Sequence, residues 1–218
     1  MPWEFDCGAV APASTATASA ATMGPLRWSA EIAWLVGLIA TDGNLARTGY
    51  RITLTSTDVD LLRRARSYLA LPNCIGWSSG GLGAGACRLQ WRHRALYKWL
   101  IAVGLTPNKS LTIGKLKIPD EYFADFVRGC IDGDGTVLVY TDRHHTAKKA
   151  SFVYTRLYVS LVSASRLFID WIRATIDRLL GLQGGVHVKR CRGSATGLGS
   201  SLFQDGIAPV AGVDVLCA

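Results

Sequence analysis

Two aspartates, Asp42 and Asp134, each stand just before a glycine and just after an apolar run: Ala33-Trp34-Leu35-Val36-Gly37-Leu38-Ile39-Ala40-Thr41 in one case, Asp125-Phe126-Val127-Arg128-Gly129-Cys130-Ile131-Asp132-Gly133 in the other. Both runs read as helices that end in Asp-Gly. An acid at the C-terminal end of a helix is electrostatically misplaced, because the helix dipole puts about half a negative charge there and the last carbonyls lack partners. A cation removes that conflict. Held by the carboxylate and by the last-turn carbonyls, those of Thr41 and Gly133, a divalent ion would have the hard oxygen donors that Mg²⁺ prefers, with Mn²⁺ as a substitute. Two such carboxylates side by side form a clamp for a phosphodiester, in which metal polarises the phosphoryl oxygen, activates water and stabilises the leaving oxygen. No Ser-His-Asp or Cys-His arrangement competes for the role.

For this to work, two distant segments must meet. The aspartates are 92 positions apart (134 − 42), the size of a small structural unit. Each helix carries a glycine five residues before its acid, Gly37 and Gly129, and the second adds Gly133; small residues at this spacing let two helix backbones approach closely. If the helices pack on each other, both acids reach the same end. The elements downstream also run in parallel. After Gly43 the pattern predicts a strand over 50–55, an N-cap at Ser56 and an amphipathic helix over 58–69. After Gly135 it predicts strands over 136–140 and 152–162, then a helix over 166–180. Each half offers one more strand, 75–78 and 186–190, and the first continues with a strand over 87–92 and a closing helix over 94–103.

Lys and Arg total 24 against 16 Asp and Glu, a net charge of +8, which suits a polyanionic partner. The six cysteines are scattered without zinc-ligand spacing and read as reduced thiols. With no apolar run long enough for a membrane span, the expected location is cytoplasmic, on the nucleoid when bound to DNA, with no membrane partner.

With the linker Gly104-Leu105-Thr106-Pro107-Asn108-Lys109-Ser110 and Ile118-Pro119 between them, the stretches Leu35 to Gly43 (LVGLIATDG) and Val127 to Gly135 (VRGCIDGDG) resemble a two-motif LAGLIDADG homing endonuclease. The resemblance covers about Trp28 to Arg190. It implies an α+β fold of two pseudo-symmetric αββαββα units, with saddle-shaped antiparallel sheets packed through the two motif helices. It implies a monomer that binds a long pseudo-palindromic duplex site and cuts it in intron homing, with Asp42 and Asp134 as catalytic acids. Asp132, which has Ala40 as its counterpart, takes a supporting role behind the metal. Lys109 either steadies the charge at the acids or caps the closing helix of the first half.

On such sheets alternate side chains face the major groove. Arg51, Thr53, Thr55, Arg88, Gln90 and Arg92 alternate in this way in the first half, and Tyr154, Arg156 and Tyr158 in the second; Lys148 and Lys149 sit in a basic loop suited to phosphates. The same scaffold serves as an RNA-binding intron maturase or as a DNA-binding protein that no longer cuts, and these are the rival readings. The chain divides into an extension (1–25), a first repeat (26–106), a linker (107–120), an incomplete second repeat (121–190) and an atypical tail (191–218). The tail is rich in Gly, Ala and Ser and shows no strand or helix period.

Overall fold

Ser29 opens the first long helix by accepting the Ile32 amide, and Glu31 adds negative charge to the first turn, where the helix dipole is positive. This helix, α1 (Ala30–Asp42), is buried on every side from Ala33 to Ala40. That is the pattern of a helix at the centre of a molecule. The structure is a computed structural model, describing residues 26–79, 85–142, 153–190 and 198–203.

Packed on α1 is its counterpart in the second half, α2 (Phe123–Asp134), which starts after Pro119 and one 3-10 turn, Asp120–Tyr122. Glycine makes the approach possible. A Cβ on Gly37 would lie 2.1 Å from the carbonyl oxygen of Phe126, and one on Gly129 would lie 2.0 Å from that of Trp34. These contacts are the same contact seen from either side, since 129 − 37 and 126 − 34 are both 92. Gly133 extends the seam towards the acids: its Cβ would fall 2.1 Å from Thr41 Oγ1.

The first half continues with β1 (Gly43–Leu45), β2 (Arg51–Ser56), α3 (Val59–Tyr68), β3 (Ile75–Ser79), β4 (Gly85–Arg92) and α4 (Arg94–Val103). Its sheet is antiparallel in the order β1-β2-β4-β3. Ile52, Leu54, Leu89 and Trp91 point inward, and the residues between them point out. The N-cap of α3 is Asp58 and not Ser56; Asp58 accepts the Asp60 amide, while Ser56 accepts the amide of Asp58 and shapes the turn before it. His93 caps α4 through the Leu96 amide, and Gly104, at φ 119°, closes it in the left-handed region. The linker is built into the core through Leu105, Ile113 and Leu116.

The second half repeats the plan with β5 (Gly135–Asp142), β6 (Tyr154–Leu161), α5 (Arg166–Leu180) and β7 (Gly185–Arg190). Ser165 caps α5 by accepting the Phe168 amide, and its hydroxyl donates to the Ile113 carbonyl, tying this helix to the linker. The expectation that no strand follows Arg190 is corrected. Residues Leu198–Phe203 form β8, antiparallel to β7 and lying against β6 and α5. The order therefore follows the first half, but among the described residues β6 and β8 do not form the ladder that joins β2 to β4.

No closing helix is described, since residues 204–218 lie outside the described set. A groove of about 680 Å³ opens on this side, lined by Val127, Ile131, Val137, Ile176 and Leu179 among others. One further expectation shifts. Cys74 is disulfide-bonded, so the cysteines are not all reduced, although Cys87 and Cys130 are free. No helix among the described residues is long and apolar enough to cross a membrane.

Candidate functional site

Asp42 and Asp134 are the last residues of α1 and α2, delivered together by the glycine seam. The glycines that follow them do not turn in the left-handed region. Gly43 and Gly135 are extended, at φ −91° and −98°. Glycine is required there for space: a Cβ would lie 2.6 Å from Cα of Ile39 at the first position and 2.4 Å from Cα of Ile131 at the second. The chain leaves each helix by folding back closely over its last turn.

Burial, and then the neighbouring charge of Asp134, push the Asp42 carboxyl up to about 7, with Lys109 pulling the other way. Asp134 is also raised, by burial, against the same lysine. Lys109 is only 5% exposed and donates from Nζ to the Gly43 carbonyl at 2.5 Å. Its burial lowers the amine to about 8, against the pull of both aspartates. The expectation that Lys109 caps the closing helix is set aside, because Gly104 closes α4 and the amine reaches the acids' end of α1. Burial, and then the charge of Asp134, raise the fully buried Cys130 thiol.

Two carboxylates that resist ionisation, with one buried ammonium close enough to act on both, form a centre short of positive charge. That is the condition in which a divalent cation fits. Among the described residues no three His, Cys, Asp or Glu gather as a metal site, so the donors on offer are the two carboxylates and the last-turn carbonyls, including those of Thr41 and Gly133. The Thr41 hydroxyl is turned back along its own helix, to the Gly37 and Leu38 carbonyls.

Asp132 points elsewhere. It accepts the Trp34 indole N–H at 2.7 Å and lies 3.5 Å from the Arg64 guanidinium, which itself stacks over the Trp34 ring. Its visible work is to join α2 to α1 and α3.

On the outer face of the first sheet, Arg51 lies opposite Arg92, Thr53 opposite Gln90 and Thr55 opposite Arg88. The arginines, Gln90 and Thr55 are exposed and Thr53 is half-buried. All six expected residues thus share one face. Asn44, which sequence reasoning passed over, joins them opposite Thr53. Its signal was its place, one residue beyond Asp-Gly. In the second half, Tyr154 and Arg156 are placed by register opposite Asp142 and Tyr140, and Tyr158 lies opposite Leu138. Leu138 and Tyr140 were also not anticipated as part of this face. Lys148 and Lys149 lie outside the described residues.

No family model and no curated protein matches the sequence. Solved structures do match the fold. A mesophilic variant of the homing endonuclease I-DmoI superposes with a TM-score of 0.50 at 15% identity, covering 79% of this chain and 87% of that one. Full-length DUF199/WhiA from Thermatoga maritima gives 0.50 at 14% identity over 82% of this chain, which spans about half (52%) of that protein. The N-terminal LAGLIDADG domain of DUF199/WhiA gives 0.49 at 13% identity over 80% of this chain and 76% of that one. The chain has the LAGLIDADG fold.

Proposed function

We propose, on the LAGLIDADG fold just established, that this chain is a site-specific endonuclease that hydrolyses phosphodiesters of double-stranded DNA with a divalent metal, Mg²⁺ or in its place Mn²⁺. One observation carries the reading: the only charged side chain buried among the described residues, Lys109, is set against two desolvated aspartates where the central helices end. Stability does not call for this arrangement, since burying like charges together opposes folding. Asp42 and Asp134, with the carbonyls of Thr41 and Gly133, would hold the metal. When bound, the metal would polarise the phosphoryl oxygen and supply a water acidic enough to attack phosphorus at neutral pH. Lys109 balances part of the acids' charge and fixes the Gly43 carbonyl beside them. The outer faces of the two sheets present the reading surface, and the two halves address two half-sites of a long pseudo-palindromic duplex.

The test is selection of duplexes from a randomised library, followed by incubation with Mg²⁺. The parent should retain a defined sequence and break both strands. Asp42→Asn and Asp134→Asn should each abolish cutting and leave most of the binding. If both variants cut as well as the parent, the assignment of the acids is wrong.

The similarity to DUF199/WhiA, equal in TM-score to that of the endonuclease variant, favours a second reading, in which the chain binds DNA and does not cut it. Retention of a defined duplex with no strand breakage in either Mg²⁺ or Mn²⁺ would select that reading.

A further inference from the structure

The two outer sheet faces share one plan and differ in chemistry. One residue after each Asp-Gly, Asn44 pairs with Thr53 and Thr136 pairs with Ser160, which aligns the strands of the two halves. Two residues earlier on the return strand, the first half has Arg51 and the second has Tyr158. Around Arg51 the first face gathers Arg88, Arg92 and Gln90. Around Tyr158 the second gathers Leu138, directly opposite, and Tyr140. The Tyr140 and Tyr158 rings stack, with centroids 5.2 Å apart and planes 15° from parallel, and their hydroxyls meet at 3.0 Å. Leu138 is 53% exposed beside them. Val137 and Val139 also stand exposed, but on the opposite face of the strand, where Val137 lines the groove beside α5.

An apolar side chain held out on the polar side of a hairpin forgoes its burial within the fold, and a partner that offers carbon there would recover it. Resting on the DNA-binding reading, we propose that Leu138, framed by the stacked Tyr140–Tyr158 pair, reads thymine 5-methyl groups in the major groove of one half-site, while Arg51, Arg88 and Arg92 select guanines in the other. Thymine presents an apolar group in the major groove, whereas guanine presents two acceptors that fit a guanidinium fork. The stacked rings hold each other in place and their hydroxyls bond to each other, so the patch around Leu138 is mainly carbon surface. Duplex DNA is the favoured occupant because the face continues the plan of the arginine-bearing one on a chain of net charge +8. The target is therefore symmetric in geometry and unequal in sequence, with one half-site rich in guanine contacts and the other in thymine.

Deoxyuridine tests this without altering the protein, because it removes the methyl group and leaves the hydrogen-bonding edge intact. Duplexes retained from a randomised library are sequenced, and thymines of the thymine-rich half-site are replaced one at a time. Kd of the parent should rise about fourfold at one or two positions, the worth of one buried methyl group. Leu138→Ala should bind the thymine and deoxyuridine duplexes alike at those positions, while keeping the guanine preference of the other half-site. A merely structural Leu138 would leave the thymine-to-deoxyuridine ratio unchanged in that variant. Site-specific binding by the parent with no response to deoxyuridine anywhere in the second half-site overturns the inference alone. Failure of the parent to retain any duplex overturns the DNA reading together with it.

Discussion

Asp42 carries the clearest energetic signature of the site. Its carboxyl titrates at about 7 in the fold against an ordinary 3.8, because burial and Asp134 disfavour the charge. A raised acid stabilises the fold fully below its unfolded pKa and loses that contribution as pH rises through the folded value. Without metal, stability should therefore fall between about pH 4 and pH 7. Asp42→Asn removes this slope, so its Tm should exceed the parent's by roughly 5 °C at pH 8 and match it near pH 4, as thermal unfolding across pH would show. An equal difference at both pH values would mean that the carboxylate is not desolvated. Replacing Lys109 with Met, similar in length and uncharged, withdraws the cation that opposes this effect and should move the Asp42 titration above 7, a shift that carboxyl NMR would record. At this scale the sequence showed the acids and their position, because an Asp-Gly closing an apolar helix has few local solutions. It did not show where Lys109 goes, since its hydrogen bond to Gly43 spans 66 positions and nothing near Lys109 encodes it.

The central pair of helices depends on missing side chains. Gly37→Ala and Gly129→Ala each drive a Cβ into the opposite backbone, which cannot yield as a flexible side chain would, and each should cost at least about 1–3 kcal/mol of stability by chemical denaturation. Gly76→Ala, with open space around its Cβ position, is the matched control and should change little. If all three variants behave alike, the close seam is wrong. The elements most legible in the sequence were α4 and α5, whose amphipathic runs gave both ends as observed, although their caps, His93 and Ser165, were not read. β1 escaped notice because three residues, Gly43–Leu45, are too few to show alternation. β8 escaped because Leu198–Phe203 is half Gly and Ser and has little strand preference of its own; pairing along β7 makes it a strand. The reason a glycine follows each acid was not legible, since the close approach over Ile39 or Ile131 is seen only in the folded chain.

Across the whole molecule the halves are alike in plan and unequal in completeness. Continuous hydrogen bonding joins β2 to β4, whereas β6 and β8 lie side by side without a described ladder. Backbone amides of β6 on the side facing β8 should therefore exchange with solvent faster than those of β2 facing β4, and hydrogen-exchange mass spectrometry would detect the contrast. Equal protection would mean that the second sheet is continuous. If the outer sheet faces bind a duplex, affinity should fall steeply with salt as phosphate counterions are displaced, and a log-log slope near zero would remove the electrostatic part of the reading. The seam between α1 and α2 has a further consequence. Gly37 on the Phe126 carbonyl and Gly129 on the Trp34 carbonyl form an isologous contact, so the backbone alone would let α1 dock equally well on a second α1 from another molecule. What breaks that equivalence is the bond from Trp34 to Asp132, whose mirror position pairs Phe126 with Ala40 and has no donor or acceptor to offer. One indole N–H and one carboxylate thus serve as an identity mark, favouring the partner helix of the same chain over a copy of itself.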